Sequence, residues 1–214
     1  MDSTESVRSE IKAVLERLKA ELPRMQRPSR LAHTHSVARI CASLCERFSL
    51  DPLEGTLAAY SHDALRDTPL EMQYKFAMEL SDYDKFSSFA HLYDRILASP
   101  AFADKVIHGL AGASYLFFEF GYSEYPALEA VAFHSTGDLA IGALAKTLYV
   151  ADKLEPSRLG LSSGTAQALE TESMDALLLR AVTASVGHLK GQRGAIAQST
   201  LDLYNALQAK DGEK

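Results

Sequence analysis

The chain has 214 residues, enough for one domain or one domain with an extension, and enough to bury a sizeable core. With 47% hydrophobic and 23% charged residues it has an ordinary globular composition, and a formal net charge of -6 counts against a surface that grips nucleic acid through its phosphates. No apolar run approaches the roughly 18 residues of a membrane span and the amphipathic N-terminus has no secretory core, so the reading is a cytoplasmic protein that engages no membrane.

Taken in order, nearly every segment reads as helix. Residues 4–20 place Val7, Ile11, Val14, Leu15 and Leu18 on one stripe. Pro23 and Pro28 are expected to break the chain after it. A second helix over about 29–48 carries Val37, Ile40, Cys41, Leu44 and Phe48 on its inner face. His33 lies one turn before Val37 on that face, whereas His35 is rotated roughly 200° from it, towards Arg39 and Glu46, and reads as a surface residue. Cys41 and Cys45 read as buried thiols rather than a disulfide, and no further soft ligands accompany them to hold a metal.

Asp51-Pro52 opens a third helix, with His62-Asp63 near its end. Thr68-Pro69-Leu70-Glu71 then puts Thr at a cap, Pro at the first helical position and Glu two further on, which starts a helix to about Leu80. Phe86, Phe89, Leu92, Tyr93 and Ile96 suggest another helix somewhere in 81–100. A long helix over about 102–120 aligns His108, Gly112, Tyr115 and Glu119, and Gly121 ends it. A short helix over 126–133 leads to His134. After a turn at 135–138, a helix over 139–151 points Asp152 inwards through Ile141, Ala145 and Leu148, and Glu155-Pro156 stops it. A Gly/Ser link at about 160–164 and helices near 173–190 and 194–208 complete an all-α bundle.

Adjacent His and Asp residues set an imidazole nitrogen beside a carboxylate oxygen, which suits a divalent metal, although the dipeptide alone is commonplace on surfaces. His33, His108, His134 and Asp152 change the weighing, because they extend it to the order His…His-Asp…His…His…Asp. Singly, His108 or His134 reads as a satisfied helix-end histidine and Asp152 as a surface acid, though an acid at a helix C-terminus opposes the macrodipole. Together, four imidazoles and two carboxylates suffice for two-metal hydrolysis, which needs a bridging carboxylate and open positions for water and substrate. The absence of thiolates favours iron, manganese or a similar ion over structural zinc.

Arg30-Leu31-Ala32-His33-Thr34-His35-Ser36-Val37 resembles the R-x-x-H-x-x-x-V opening of the HD superfamily, and Tyr60-Ser61-His62-Asp63 resembles the element that gives it its name. Three further segments resemble the YqeK family of HD proteins: Ile107-His108-Gly109-Leu110-Ala111-Gly112-Ala113, Phe133-His134-Ser135-Thr136-Gly137, and the block from Tyr149 through Ala151-Asp152-Lys153-Leu154-Glu155-Pro156-Ser157 to Arg158. The resemblance covers about residues 28–190 as an HD-type hydrolase domain, with residues 1–27 a helix packed on it and 191–214 a C-terminal helix and tail.

The resemblance implies an all-α HD-domain bundle with a di-iron centre that hydrolyses diadenosine tetraphosphate symmetrically to two ADP. One metal would take His33, His62, Asp63 and Asp152; the other would take His108 and His134 and share Asp63. The cofactors are two transition-metal ions, iron foremost, with manganese or another divalent metal as substitutes. Lys153 and Arg158 would act with His62 and Asp63 in catalysis. With Arg66, Thr136 and Gly137 they would also contact a nucleotide substrate, Arg158 as a fork. Homodimerisation is left open.

Arg66 stands where the family often has Lys, Ser135 where it usually has Thr, and the interval from Asp63 to His108 is longer, with Tyr83, Phe86, Phe89 and Tyr93 in it. Other readings are an HD nucleotidase or phosphodiesterase and a non-catalytic metal- or nucleotide-binding module. The stretch His62-Asp63-Ala64-Leu65-Arg66-Asp67 lacks the HDxxED of guanosine-tetraphosphate hydrolases, and no GYP block of cyclic-dinucleotide phosphodiesterases is present.

Overall fold

Prolines and one acidic cap set several helix starts. Pro28, Pro52, Pro100 and Pro126 stand in the first turn of their helices, where a missing N–H removes no intrahelical bond. Asp51 accepts from Leu53 N at 2.8 Å. The computed structural model describes residues 3–83, 85–155, 164–192 and 194–212. Among them are eleven helices and no strand: α1 (Ser3–Met25), α2 (Pro28–Arg47), α3 (Pro52–Ser61), α4 (Leu70–Ser81), α5 (Ser87–Leu97), α6 (Pro100–Phe118), α7 (Tyr125–Phe133), α8 (Ala143–Lys153), α9 (Thr165–Thr171), α10 (Met174–Gly191) and α11 (Gln198–Gly212). None is long and apolar enough to cross a membrane.

The helices α2, α3, α6, α7 and α8 form the body, with α2 along α3 and α8, and α7 between α6 and α8. Val37, Cys41, Leu44, Leu57, Ile107, Leu110, Val131 and Leu148 fill it, each 2% exposed or less. Such a fully buried aliphatic side chain contributes roughly 1.5–3 kcal/mol. α1 lies on α3 through Ile11, Val14, Leu15, Leu18 and Leu22, and α10 rests on α8 and carries α11. Two glycines of α6 set how closely it approaches its neighbours. A Cβ on Gly109 would come within 2.8 Å of Ala132 O in α7, and one on Gly112 within 2.9 Å of Ser61 O at the end of α3. Neither carbonyl can yield without moving a helix.

Several local expectations are corrected. Pro23 does not end α1, which continues to Met25 with Leu22 fully buried and Gln26 N bonded to Leu22 O at 2.8 Å. Thr68 caps nothing: its hydroxyl donates to Leu65 O at 2.7 Å, and α4 begins at Leu70. Residues 139–142 are not helical. Asp138 Oδ1 accepts from Ala140 N at 3.1 Å and Glu129 Oε2 from Gly142 N at 2.8 Å, so side chains take the amides that a helix would use. α9 is an additional short helix, and α11 starts at Gln198 rather than 194. The helix expected within 81–100 is α5, and Cys41 and Cys45 are free, buried thiols.

Candidate metal centre

Five helices each bring one or two polar side chains to the same point. His33 comes from the second turn of α2, His62 and Asp63 from the C-cap of α3 and the residue after it, His108 from α6, His134 from the C-cap of α7 and Asp152 from the last turn of α8. His62, Asp63, His108, His134 and Asp152 are buried, and His33 is partly so. His33 Nε2 lies 3.0 Å from Asp152 Oδ1, and His62 Nε2 lies 3.9 Å from that same oxygen. Asp63 faces two ways. Its Oδ1 is 3.2 Å from His108 Nε2 and 3.7 Å from His134 Nε2, while its Oδ2 is 3.7 Å from His62 Nε2. His33 with His62 and Asp152, and His62 with Asp63 and His134, each present ligand atoms all within 4.8 Å of one another.

Backbone carbonyls orient the rings. His62 Nδ1–H donates to Ala59 O at 2.5 Å and His134 Nδ1–H to Val131 O at 2.7 Å, which leaves each Nε2 with its lone pair towards the cluster. Burial pushes the His62 imidazole down to about 4 and the His108 imidazole down to about 3, so both are neutral at pH 7. Burial alone would raise the Asp63 carboxyl; the facing His62, His108 and His134 hold it well below the usual carboxylate range instead. Neutral His62 and His108 beside an ionised Asp63 are the protonation states that a cation requires.

The donor set fits a divalent metal. His62 Nε2 is buried without a hydrogen-bond partner, an orphan that an ion would satisfy. One feature runs the other way. Arg66 Nη1 lies 2.6 Å from His108 Nδ1, and a guanidinium only donates, so Nδ1 accepts and the neutral ring carries its hydrogen on Nε2. Ligation through Nε2 needs the opposite tautomer, and hence a different partner for Arg66. Because a charged hydrogen bond is worth about 1.5–3 kcal/mol, Arg66→Met will raise ion affinity on the His108–His134 side by about tenfold or more. Metal titration monitored by calorimetry checks this; unchanged or weaker binding would show that the Arg66 contact does not compete.

A cavity of about 480 Å³ opens over the cluster, lined by Asp63, His108, His134 and Asp152, with the cations Arg30, Arg66, Lys105 and Lys153 around them and the apolar Phe102 and Leu189 further out. In a chain of net charge -6 these cations gather positive charge around the cavity, with Arg30 and Lys153 paired to Asp63 and Asp152. Arg66, Thr136 and Lys153 all line the cavity, and Lys153 Nζ is 2.6 Å from Asp152 Oδ2. Gly137 sits at φ +63 beside Tyr149 and Leu203, where it serves the turn after His134. Arg158 lies outside the described residues.

Four residues at or behind the cluster were given no role by the sequence reading. Arg30, one turn before His33 and within the R-x-x-H match, pairs with Asp63 Oδ2 at 2.5 Å and with Asp67 Oδ1 at 3.0 Å. Gln26 donates to the Asp63 carbonyl at 2.9 Å, and Thr34 donates to Gln26 in turn at 3.2 Å. Glu155, read as part of a helix stop and within the block that resembles the YqeK family, has Oε2 3.3 Å from His33 Nδ1. His35 is exposed, tilted against Tyr60 with ring centroids 5.6 Å apart.

Fold and cluster together define an all-α helical bundle built around a His/Asp centre of the kind that holds divalent metal. The solved structure of a predicted HD superfamily hydrolase involved in NAD metabolism from Clostridium acetobutylicum superposes with a TM-score of 0.73 over 91% of this chain and 97% of that one, at 21% identity. No family model matches. Two curated relatives carry the name symmetrical bis(5'-nucleosyl)-tetraphosphatase. One, from Bacillus subtilis strain 168, is 27% identical over 179 residues, covering 83% of this chain and 89% of the relative. The other, from Halalkalibacterium halodurans, is 26% identical over 180 residues, covering 83% and 88%. These relatives bear out the resemblance to YqeK-like HD phosphohydrolases read from the motifs.

Proposed function

We propose that the chain hydrolyses the phosphoanhydride bonds of dinucleoside polyphosphates in the cytoplasm, and cleaves diadenosine tetraphosphate symmetrically to two ADP. The observation that carries this is the cation-lined cavity opening on Asp63, His108, His134 and Asp152 of the His/Asp cluster. The names of the curated relatives supply the substrate class.

Two ions, iron foremost, would be held by His33, His62, Asp63 and Asp152 on one side and by His108 and His134 with a shared Asp63 on the other. The two oxygens of Asp63, facing opposite halves of the cluster, support that sharing. When bound, divalent ions supply Lewis acidity and an activated water at neutral pH. The chain's residues do the rest. Arg66, Lys105 and Lys153 bind the phosphate oxygens and offset the charge of the departing ADP, and Arg30 holds the Asp63 carboxylate in register. Thr136, Gly137 and Arg158 belong to the substrate side of the site by their match to the family. Water added to one inner phosphorus, with loss of the central bridging oxygen to the other, gives two identical products.

The test is analysis of early products after metal-replete protein meets a panel of dinucleoside polyphosphates, nucleoside triphosphates and monophosphates. ADP alone from diadenosine tetraphosphate is the expected outcome. A pair of ATP and AMP would end the symmetric assignment. Phosphate from a monophosphate, with the dinucleotide intact, would favour a nucleotidase, and no turnover at all a non-catalytic module.

A further inference from the structure

Beside the main cavity lies a second one of about 200 Å³, and Phe102, Thr136 and Ala197 line both. Its inner wall is apolar, made by Leu92 and Ile96 of α5 with Phe102 of α6, each buried. Its rim is polar, with Ser99 before α6 and Gln198 and Ser199 at the start of α11. The cation that lines it, Arg95, is already engaged with Asp138 Oδ2 at 2.7 Å. An apolar slot with hydroxyl and amide groups at its edge and its guanidinium spoken for suits an aromatic heterocycle rather than a phosphate.

Position ties this slot to the reaction. Thr136 follows Ser135, whose hydroxyl is 3.1 Å from His108 Nε2 and 3.0 Å from His134 Nε2. Thr136 is 4% exposed, and its own hydroxyl is buried with no hydrogen-bond partner. A buried hydroxyl costs free energy unless something satisfies it, and this one stands on the partition between the two cavities. The volume admits a base but not a second complete nucleotide, since pockets for drug-sized ligands run from about 300 Å³ upwards.

We infer that the slot between α5 and α11 is the subsite for the second nucleobase of a dinucleoside polyphosphate, so that α5 selects substrates with a nucleoside at both ends. The inference rests on the proposed hydrolysis. The main cavity takes the phosphates and the first nucleoside; the chain of phosphates passes Thr136, and the far base enters between Ile96 and Phe102. It also gives a function to the long interval between Asp63 and His108, whose buried aromatic side chains Phe86 and Phe89 hold α5 in place.

The test compares diadenosine tetraphosphate with adenosine 5'-tetraphosphate, which offers a similar phosphate chain but one nucleoside. Ser99→Leu and Ser199→Leu fill the slot from opposite walls at half-buried positions, so the loss of one variant to misfolding leaves the other. In each, the ratio of kcat/KM for the dinucleoside over the mononucleoside substrate is expected to fall at least tenfold, through KM, with metal content as in the wild type. A ratio within twofold of wild type in a folded variant, where wild type cleaves the dinucleoside, overturns the subsite and leaves the proposed hydrolysis standing. Failure of the wild type to cleave the dinucleoside removes the hydrolysis, and the subsite with it.

Discussion

His33→Ala will lower turnover by a hundredfold or more, on the order of 3 kcal/mol of barrier, while His35→Ala will change it only a few-fold. The two residues sit two apart on α2, which turns their side chains roughly 200° from each other. His33 Nε2 is 3.0 Å from Asp152 Oδ1 and its Nδ1 is 3.3 Å from Glu155, whereas His35 lies on the surface against Tyr60. Loss of the His33 ring removes a nitrogen ligand from the side of the cluster that includes Asp152. One ion should be weakened and the other retained. Metal content by elemental analysis, with kinetics at matched loading, checks both parts. A damaging His35→Ala beside a silent His33→Ala would show that α2 presents the other face in solution.

Asp63→Asn is expected to be more severe: neither ion is retained, and turnover falls by about a thousandfold or more, roughly 4 kcal/mol. The two oxygens of this carboxylate face both halves of the cluster, Oδ1 towards His108 and His134 and Oδ2 towards His62 and Arg30. Asn keeps the shape but exchanges one acceptor for an NH2 that must point at donors or at a metal, and it removes the charge. The fold should survive, because Arg30 keeps Asp67 at 3.0 Å. Two ions still bound in the variant, or turnover within tenfold of wild type, would refute the sharing of Asp63.

What the sequence disclosed follows residue chemistry. His33, His62, Asp63, His108, His134 and Asp152 are side chains with few uses at such positions on helices, and the motifs around them are local strings. The inner face of α2 was equally readable, because Val37, Cys41 and Leu44 recur at helical spacing and are buried. The supports of the site were not readable, since they act across the chain: Arg30 reaches Asp63 over 33 residues, Gln26 over 37, and Glu155 reaches His33 over 122. Residues 139–142 misled for a related reason. Ile141 continues the apolar spacing of α8, but Glu129, thirteen residues away, takes the Gly142 amide and the helix begins one residue later. α9 carries only Thr165 and Ala168 as buried residues, too few to register as a period.

The 119-residue separation between His33 and Asp152 has a kinetic meaning. Helical proteins collapse quickly because most of their contacts are local, and loop closure grows costlier as the segments joined lie further apart. Here the local contacts belong to the helices and the distant ones to the centre. A nascent or partly folded chain therefore has helices before it has a site, with α2 waiting on α8, which emerges more than a hundred residues later. Fragments and intermediates that lack a docked α8 offer His62 and Asp63 without Asp152, and so an incomplete set of ligands. Full ion uptake becomes a report that the last long-range closure is complete, and any lesion that keeps α8 from docking on α2 yields a helical protein without the His33–Asp152 side of the centre.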